Sequence, residues 1–182
     1  NDQYLQHFID TICQTGCNTV IIHARKGWLK GLNPKQNRTV PPLQYERVYS
    51  LKKRFPELNL VINGGIESIE AMQTHLQQVN GVMLGRAAYH NPYLLATVDQ
   101  RFYQTNEAVP TRQDILNGLT DYIDQQCRHG TKLHHITRHL HGLYFGQPHA
   151  KKWRQQLTVL SQNKQASLLT WQQCLREFNT IT

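Results

Sequence analysis

Three short apolar runs, separated by amphipathic segments, constrain the fold of this chain more than any other feature. The runs cover residues 19–22, 58–62 and 82–84. They are too short for buried helices, and the first two contain several β-branched residues, as buried strands do. The segments between them, residues 43–55 and 68–79, place apolar residues at helical spacing. Because buried strands joined through helices pair in parallel by right-handed crossovers, the predicted fold class is α/β.

A further helix is predicted ahead of the first strand, over residues 3–15. Its apolar residues recur at helical spacing. Asp2 is expected to cap its amino terminus, and Gly16 is expected to end it.

The second and third predicted strands both run into glycines. Asn63, Gly64 and Gly65 follow one strand, and Gly85 and Arg86 follow the other. Glycine lets main-chain N–H groups approach a ligand without a Cβ in the way. In (β/α)8 barrels, the loops after strands seven and eight frequently build a phosphate site. The spacing therefore predicts strands six to eight of such a barrel, whereas no G-x-G-x-x-G follows a strand to indicate a Rossmann fold.

A long basic loop follows the first predicted strand, which ends near His23. A loop of residues 27–44 far exceeds the usual connection of roughly 2 to 6 residues in α/β units. Residues 25–44 include no acidic residue, and the cationic residues at the end of the strand and in the loop are Arg25, Lys26, Lys30, Lys35 and Arg38. Taken alone, this pattern fits either a solvated loop or a polyanion-binding loop.

The charge of the chain favours a polyanionic partner. The net charge is +8, and the sequence pI is about 9.5. Residues 111–182 hold nine Lys and Arg against four Asp and Glu, so they carry most of the net positive charge. Composition alone does not distinguish an RNA-binding protein from a merely soluble basic one. No apolar run is long enough to predict a membrane span.

The cysteines do not indicate a structural zinc site. The chain has four of them, with no C-x-x-C pair: Cys13, Cys17, Cys127 and Cys174. We expect free thiols in a reducing cytoplasm.

The carboxyl-terminal part of the chain is predicted to be all helical. Residues 105–110 form a polar linker, which divides a domain of residues 1–104 from one of residues 105–182. Four short amphipathic helices predict a small antiparallel bundle. Its first two helices are expected to bury Ile115, Leu119, Tyr122, Ile123, Leu133, Ile136, Leu140 and Leu143. A third, over residues 150–160, exposes Lys151, Lys152 and Arg154.

A group of histidines lies in the second of these helices. His135 and His139 are expected to share one helical face. The glutamate of an H-E-x-x-H site is missing, and no carboxylate is close in sequence. We therefore expect polar-surface or RNA-facing histidines rather than a metal site.

Several of these segments resemble one known family. The segments are H-A-R-K-G-W-L-K-G-L-N-P-K-Q-N-R, V-I-N-G-G-I, G-V-M-L-G-R-A-A-Y-x-N-P and I-T-R-H-L-H-G-L-Y-F-G-Q-P-H-A-K-K-W-R. Together they resemble the tRNA-dihydrouridine synthases, in particular the bacterial A subfamily. The resemblance implies an FMN enzyme in which NADPH reduces the flavin, flavin N5 passes a hydride to uridine C6, and a cysteine protonates C5. It also implies D-loop uridines 20 and 20a as targets.

The resemblance implies roles for individual residues. His23 would contact the flavin, and the phosphate would be held by Asn63, Gly64, Gly65, Gly85 and Arg86. The residues implied to contact tRNA are Arg25, Lys26, Lys35, Arg38, Lys151 and Arg154. A helical tRNA-binding domain would follow the barrel.

The resemblance places the catalytic cysteine in an earlier strand, upstream of this sequence. None of the four cysteines matches its motif, so no catalytic residue is assigned here. We expect this polypeptide alone to bind FMN weakly and not to reduce uridine. Two other interpretations stay open: a different FMN-binding barrel oxidoreductase acting on a small molecule, and a non-catalytic basic RNA-binding module.

Overall fold

The computed structural model describes residues 2–163 and 165–180. The chain divides into two compact units, Asn1–Gly85 and Arg86–Thr182. The predicted domains of residues 1–104 and 105–182 remain a prediction. The boundary between the two compact units lies earlier in the chain, between Gly85 and Arg86.

The first unit is a three-stranded parallel sheet with helices between the strands. The strands lie in the order β1-β2-β3, so the second strand is central. The elements in chain order are α1 (Asp2–Gln14), β1 (Thr19–His23), α2 (Pro34–Asn37), α3 (Tyr45–Arg54), β2 (Asn59–Asn63), α4 (Ile69–Leu76) and β3 (Gly81–Met83). The predicted α/β class and the three strands are confirmed.

The core of the first unit lies on one face of the sheet. Leu60 and Ile62 of the central strand are fully buried, while the alternate residues Asn59, Val61 and Asn63 are not. This alternation is that of a strand covered by helices on one face. The buried residues of those helices are Ile9, Val48, Leu51, Met72 and His75.

The expectation that β1 is a buried strand is wrong. Its residues alternate between exposed and half-buried, and the Ile21 side chain is 56% exposed. β1 forms an edge of the sheet, and Ile21 lies in register with Val61 on the face opposite the core. An apolar run therefore predicted the strand correctly but not its burial.

Two predicted helix limits in the first unit also need correction. Asp2 is the first residue of α1 rather than its cap. The helix predicted from residue 43 begins at Tyr45, because Leu43 instead forms a β-bridge with Arg25. Gly16 follows α1 with φ of +86°, as a helix-ending glycine does.

The second unit is helical in the part of the chain that the structure describes. Its elements are α5 (Arg86–His90), a 3₁₀ helix (Pro92–Thr97), α6 (Val98–Tyr103), α7 (Arg112–Arg128), α8 (Leu133–Thr137), α9 (Ala150–Gln162) and α10 (Leu168–Asn179). Thr111 caps α7, since its hydroxyl accepts the Asp114 N–H while the Asp114 carboxylate accepts the Thr111 N–H. Gly130, with φ of +87°, follows that helix.

Aromatic side chains form the centre of the second core. Trp153 and Phe178 have ring centroids 5.1 Å apart, and Tyr144 meets Phe178 edge-on at 4.8 Å. Trp153, Trp171 and Phe178 are fully buried. The Trp153 indole N–H donates to the Leu140 carbonyl at 2.8 Å, so the polar atom of this buried ring is satisfied.

The second predicted helix of this unit is much shorter than expected. α8 ends at Thr137, and successive turns replace the predicted helix from His139 to Gly146. The Leu140 carbonyl accepts the N–H of Leu143 within one of these turns and also the indole N–H of Trp153, so a turn and a side chain replace the helical bond there. Tyr122, predicted to point inward on α7, is 49% exposed, and Leu116 is buried instead.

Among the described residues, no helix combines the length and apolar character needed to cross a membrane.

Arg112 links three segments of the second unit. Its guanidinium lies 3.6 Å from the centroid of the Tyr93 ring, and its Nε donates to the Leu143 carbonyl at 2.8 Å. A planar guanidinium stacks and donates at once, which an ammonium does not. Arg128, on the same helix, forms an exposed ion pair with Asp124.

We predict that Arg112→Lys lowers the free energy of unfolding of this unit by about 1 to 2 kcal/mol. Arg128→Lys should change it by about 0.5 kcal/mol or less, because exposed ion pairs contribute little. Denaturant unfolding followed by tryptophan fluorescence measures both, since Trp153 and Trp171 are buried in this core. Equal losses in the two variants would contradict the linking role of Arg112.

Candidate functional site

The carboxyl ends of the three strands meet at one edge of the sheet. His23 of β1 lies in register with Asn63 of β2, which lies in register with Met83 of β3. The Asn63 carbonyl accepts the N–H of Ala24 at 2.7 Å, and its side-chain Nδ2 donates to the Met83 carbonyl at 2.8 Å. Asn63 therefore connects both neighbouring strand ends through its main chain and its amide.

The turn after β2 requires its two glycines. Gly64 has φ of +120° and Gly65 has φ of +66°, values that other residues rarely adopt. A Cβ on Gly65 would lie 2.6 Å from Leu43 Cδ1 and 3.3 Å from the Tyr45 hydroxyl. Both conformation and space thus favour glycine here.

The imidazole of His23 lies against this turn. A Cβ on Gly64 would be 3.1 Å from His23 Cε1. The Arg25 N–H donates to His23 Nδ1 at 3.2 Å, so the proton of the neutral ring is on Nε2. His23 therefore carries a hydrogen-bond donor at the carboxyl edge of the sheet, beside Gly64.

The third strand also ends at this edge. Gly85 follows Met83 by two residues, and a Cβ on it would meet nothing within 4 Å. Arg86 opens α5 and is the first residue of the second unit. A helical turn therefore follows Gly85 directly, and the role of Arg86 in a phosphate site remains a prediction.

Tyr45 is a site residue that sequence reasoning missed. Its hydroxyl donates to the Gly64 carbonyl at 2.8 Å. On its other side, the ring meets His75 edge-on with centroids 4.4 Å apart. Tyr45 and Gly64 are 19 residues apart and share no motif, so the sequence offers no signal for the contact.

Burial shifts the titration of this group of rings. Desolvation raises the pKa of Tyr45, with a smaller opposing effect from the Arg25 charge. It raises the pKa of Tyr49 and lowers that of His75. Tyr49 Oη lies 2.6 Å from His75 Nδ1. The phenols and the imidazole are thus held in their neutral forms.

The long basic loop has an ordered internal structure built around Asn37. The Asn37 side chain accepts the Trp28 N–H at 2.7 Å and donates to the Trp28 carbonyl at 2.9 Å. A reciprocal capping box between Asn33 and Gln36 starts α2 within the loop. The length and charge of the loop predicted neither of these features.

The predicted RNA-binding residues of the first unit differ in their settings. Lys26, Lys35 and Arg38 are exposed, and the last two lie three residues apart at α2. Arg25 is half-buried instead, and its Nε donates to the Pro41 carbonyl at 2.8 Å. The structure therefore assigns Arg25 a contact within the loop, and its contact with RNA remains a prediction.

The basic residues of α9 occupy two sides of that helix. Lys151 and Arg154 are exposed, three residues apart, on the side away from buried Trp153. Lys152 is also exposed but lies along a groove between α9 and α10, which Glu177 also lines. The expected cluster is therefore one pair plus a separate lysine.

The predicted shared face of His135 and His139 is wrong. α8 ends at Thr137, so His139 lies beyond it, and its Nδ1 is 3.1 Å from the Tyr89 hydroxyl. His135 meets His134 edge-on at 4.2 Å, and its pKa is lowered by desolvation and by the neighbouring charges of His134, Arg138 and Lys132. No group of three metal-binding side chains is found among the described residues.

Comparison with known proteins identifies the family. The family model described as "Dihydrouridine synthase (Dus)" matches residues 1–179. The chain belongs to the dihydrouridine synthase family. This confirms the resemblance stated from the motifs, including the bacterial A subfamily.

Several similar curated proteins carry one name, tRNA-dihydrouridine(20/20a) synthase. The chain is 52% identical over 156 residues to that of Shewanella oneidensis, covering 86% of this chain and 47% of the relative. It is 52% identical over 154 residues to that of Synechocystis, covering 85% and 46%. It is 46% identical over 157 residues to that of Escherichia coli K12, covering 86% and 46%. The chain thus spans about half the length of these relatives.

We predict that Gly65→Ala destabilises the first unit more than Gly31→Ala does. Gly31 also has positive φ, +84°, but a Cβ there meets nothing within 4 Å. Both variants lose about 1 kcal/mol to backbone conformation, and Gly65→Ala should lose about 1 kcal/mol more through crowding against Leu43.

Native-state amide hydrogen exchange of β2 measures this difference, because it reports the stability of the first unit separately. Equal protection in the two variants would show that the packing around Gly65 adapts at no cost.

Proposed function

We propose that a synthase of full family length containing this sequence reduces uridines 20 and 20a of tRNA to dihydrouridine, with FMN as cofactor and NADPH as reductant. In this proposal, the sheet is strands six to eight of a (β/α)8 barrel. The residues from 105 onward form the helical tRNA-binding domain. The proposed compartment is the cytoplasm, and the four cysteines are free thiols, as expected there.

One observation supports this proposal most: the diglycine turn and His23 lie side by side at the carboxyl edge of three parallel strands. This edge is where α/β folds bind ligands. Among the described residues, the N–H groups of Gly64 and Gly65 have no hydrogen-bond partner. Unpaired main-chain donors beside glycines suit phosphate oxygens. The residues present therefore fit the phosphate of FMN.

The residues of the proposed cofactor site have different roles. The N–H groups of Gly64 and Gly65 would bind the phosphate, while Asn63 orients the turn through its bond to Met83. His23, whose Nδ1 accepts the Arg25 N–H, would contact the flavin from the end of β1. Bound FMN supplies hydride transfer from NADPH to C6 of the uridine. Gly85 and Arg86 complete the phosphate site in this proposal.

Two cation pairs would contact the tRNA. Lys35 and Arg38 are three residues apart at α2, and Lys151 and Arg154 have the same spacing on α9. Residues at this spacing project from one face of a helical turn. Clustered cations bind a phosphate backbone through counterion release. Lys26 and Arg25, which follow β1, are proposed tRNA contacts as well.

The two other interpretations have less support. A flavin enzyme for a small molecule does not explain the exposed cation pairs, and an RNA-binding module without catalysis does not explain the glycine turns. The shared name of these relatives favours the synthase over both.

The reaction is tested with the full-length synthase, FMN, NADPH and tRNA that lacks dihydrouridine. We expect dihydrouridine at positions 20 and 20a, and none when both uridines are replaced by cytidine. Chemical reduction followed by primer extension maps the modified positions. Dihydrouridine at other positions, or none at all, would contradict the proposal.

We predict that Lys151→Ala weakens tRNA binding by the full-length synthase more than Lys152→Ala does. Both changes remove one ammonium, but Lys152 lies along the groove with Glu177 rather than on the face of Arg154. The slope of log affinity against log salt should fall by about 1 for Lys151→Ala. Titrations at several salt concentrations measure it, and equal slopes in the two variants would exclude a contact specific to Lys151.

A further inference from the structure

We propose that Tyr45 is a positioning residue for the phosphate site, in which its hydroxyl holds the Gly64 carbonyl so that the diglycine turn presents its N–H groups to a phosphate monoester. The inference rests on the proposed function, because it takes the phosphate of FMN as the ligand. It adds a residue outside the turn, on α3, to the site.

The hydrogen bond determines which way the turn faces. The Tyr45 hydroxyl donates to the Gly64 carbonyl at 2.8 Å. That carbonyl and the Gly65 N–H belong to one peptide unit, and in a trans peptide the two groups point in opposite directions. Fixing the carbonyl toward Tyr45 therefore directs the Gly65 N–H away from it. A rotation of this peptide would turn a carbonyl oxygen, which repels anions, toward the ligand.

A turn of two glycines needs such an external contact. Glycine adopts positive and negative φ with similar ease, so Gly64 and Gly65 have little conformational preference of their own. The Tyr45 hydroxyl and the Leu43 side chain lie on one side of Gly65. A Cβ added to Gly65 would be 3.3 Å from the Tyr45 hydroxyl and 2.6 Å from Leu43 Cδ1. These two side chains restrict the turn to the observed arrangement.

The Tyr45 ring is itself held in place. It meets the buried His75 ring edge-on, with centroids 4.4 Å apart. Desolvation raises the pKa of Tyr45, so its hydroxyl keeps the proton that it donates. A phenolate here would lose the donor and would repel the phosphate. The neutral phenol is the form that this role requires.

Tyr49 provides a matched control. It lies one turn further along α3, and it is half-buried, as Tyr45 is. Its hydroxyl is 2.6 Å from His75 Nδ1, and no hydrogen bond joins it to Gly64 or Gly65. Tyr49→Phe and Tyr45→Phe each remove one partly buried hydroxyl and keep the ring, but only Tyr45→Phe releases the turn.

The test measures the binding of FMN and of riboflavin by the full-length synthase, using flavin fluorescence. Riboflavin has the same ring but no phosphate, so the ratio of the two affinities isolates the phosphate site. Loss of one hydrogen bond corresponds to about 0.5 to 1.5 kcal/mol. We therefore expect Tyr45→Phe to weaken FMN binding by about 2- to 12-fold. Riboflavin binding by Tyr45→Phe, and both flavins with Tyr49→Phe, should stay within about twofold.

The outcomes separate the inference from the proposed function. If the unmodified synthase binds FMN no better than riboflavin, the proposed phosphate site itself is wrong. If it prefers FMN and Tyr45→Phe keeps that preference, the positioning role is overturned while the proposed function stands. An equal loss for both flavins in Tyr45→Phe would show a general structural role and would also overturn it. Selective loss of FMN in Tyr45→Phe alone supports the inference.

Discussion

The parallel register of the three strands is the constraint on which the candidate site depends. His23, Asn63 and Met83 lie in one row across the sheet. Parallel pairing brings the residues that follow each strand to the same edge, although they are about 20 residues or more apart in sequence. A shift of one residue in the β2 pairing would place Asn63 on the opposite face of the sheet. The Asn63 bond to the Met83 carbonyl would then be lost.

The candidate phosphate site is built mostly from main chain, and this explains why glycines revealed it. Its donors are N–H groups, which every residue except proline carries, so no reactive side chain marks the position. What marks it is the need for positive φ at Gly64 and Gly65. The same feature explains why Tyr45 was missed. A tyrosine that holds a main-chain carbonyl looks, in the sequence, like any half-buried residue at the start of an amphipathic helix.

Sequence patterns predicted what is local and missed what is long-range. Strand positions follow from residues within one element, and the structure confirms them. The exposure of Ile21 depends on which face of the sheet the helices cover, and in the turns after α8 the Leu140 carbonyl binds Trp153, 13 residues further along the chain. The contact of Asn37 with Trp28 spans nine residues of irregular loop, where no periodicity exists.

Two kinds of phosphate recognition coexist in the proposed enzyme, and their physics differs. Main-chain donors on a fixed turn select a phosphate by geometry, and their alignment depends on the surrounding packing. Exposed cation pairs such as Lys151 and Arg154 attract any phosphodiester, and salt weakens them. A small cofactor must be held in one orientation relative to the reacting base, so geometry matters most for it. A tRNA makes many backbone contacts, so additive, salt-dependent attraction suffices, and the shape of the RNA then decides which uridine reaches the strand ends.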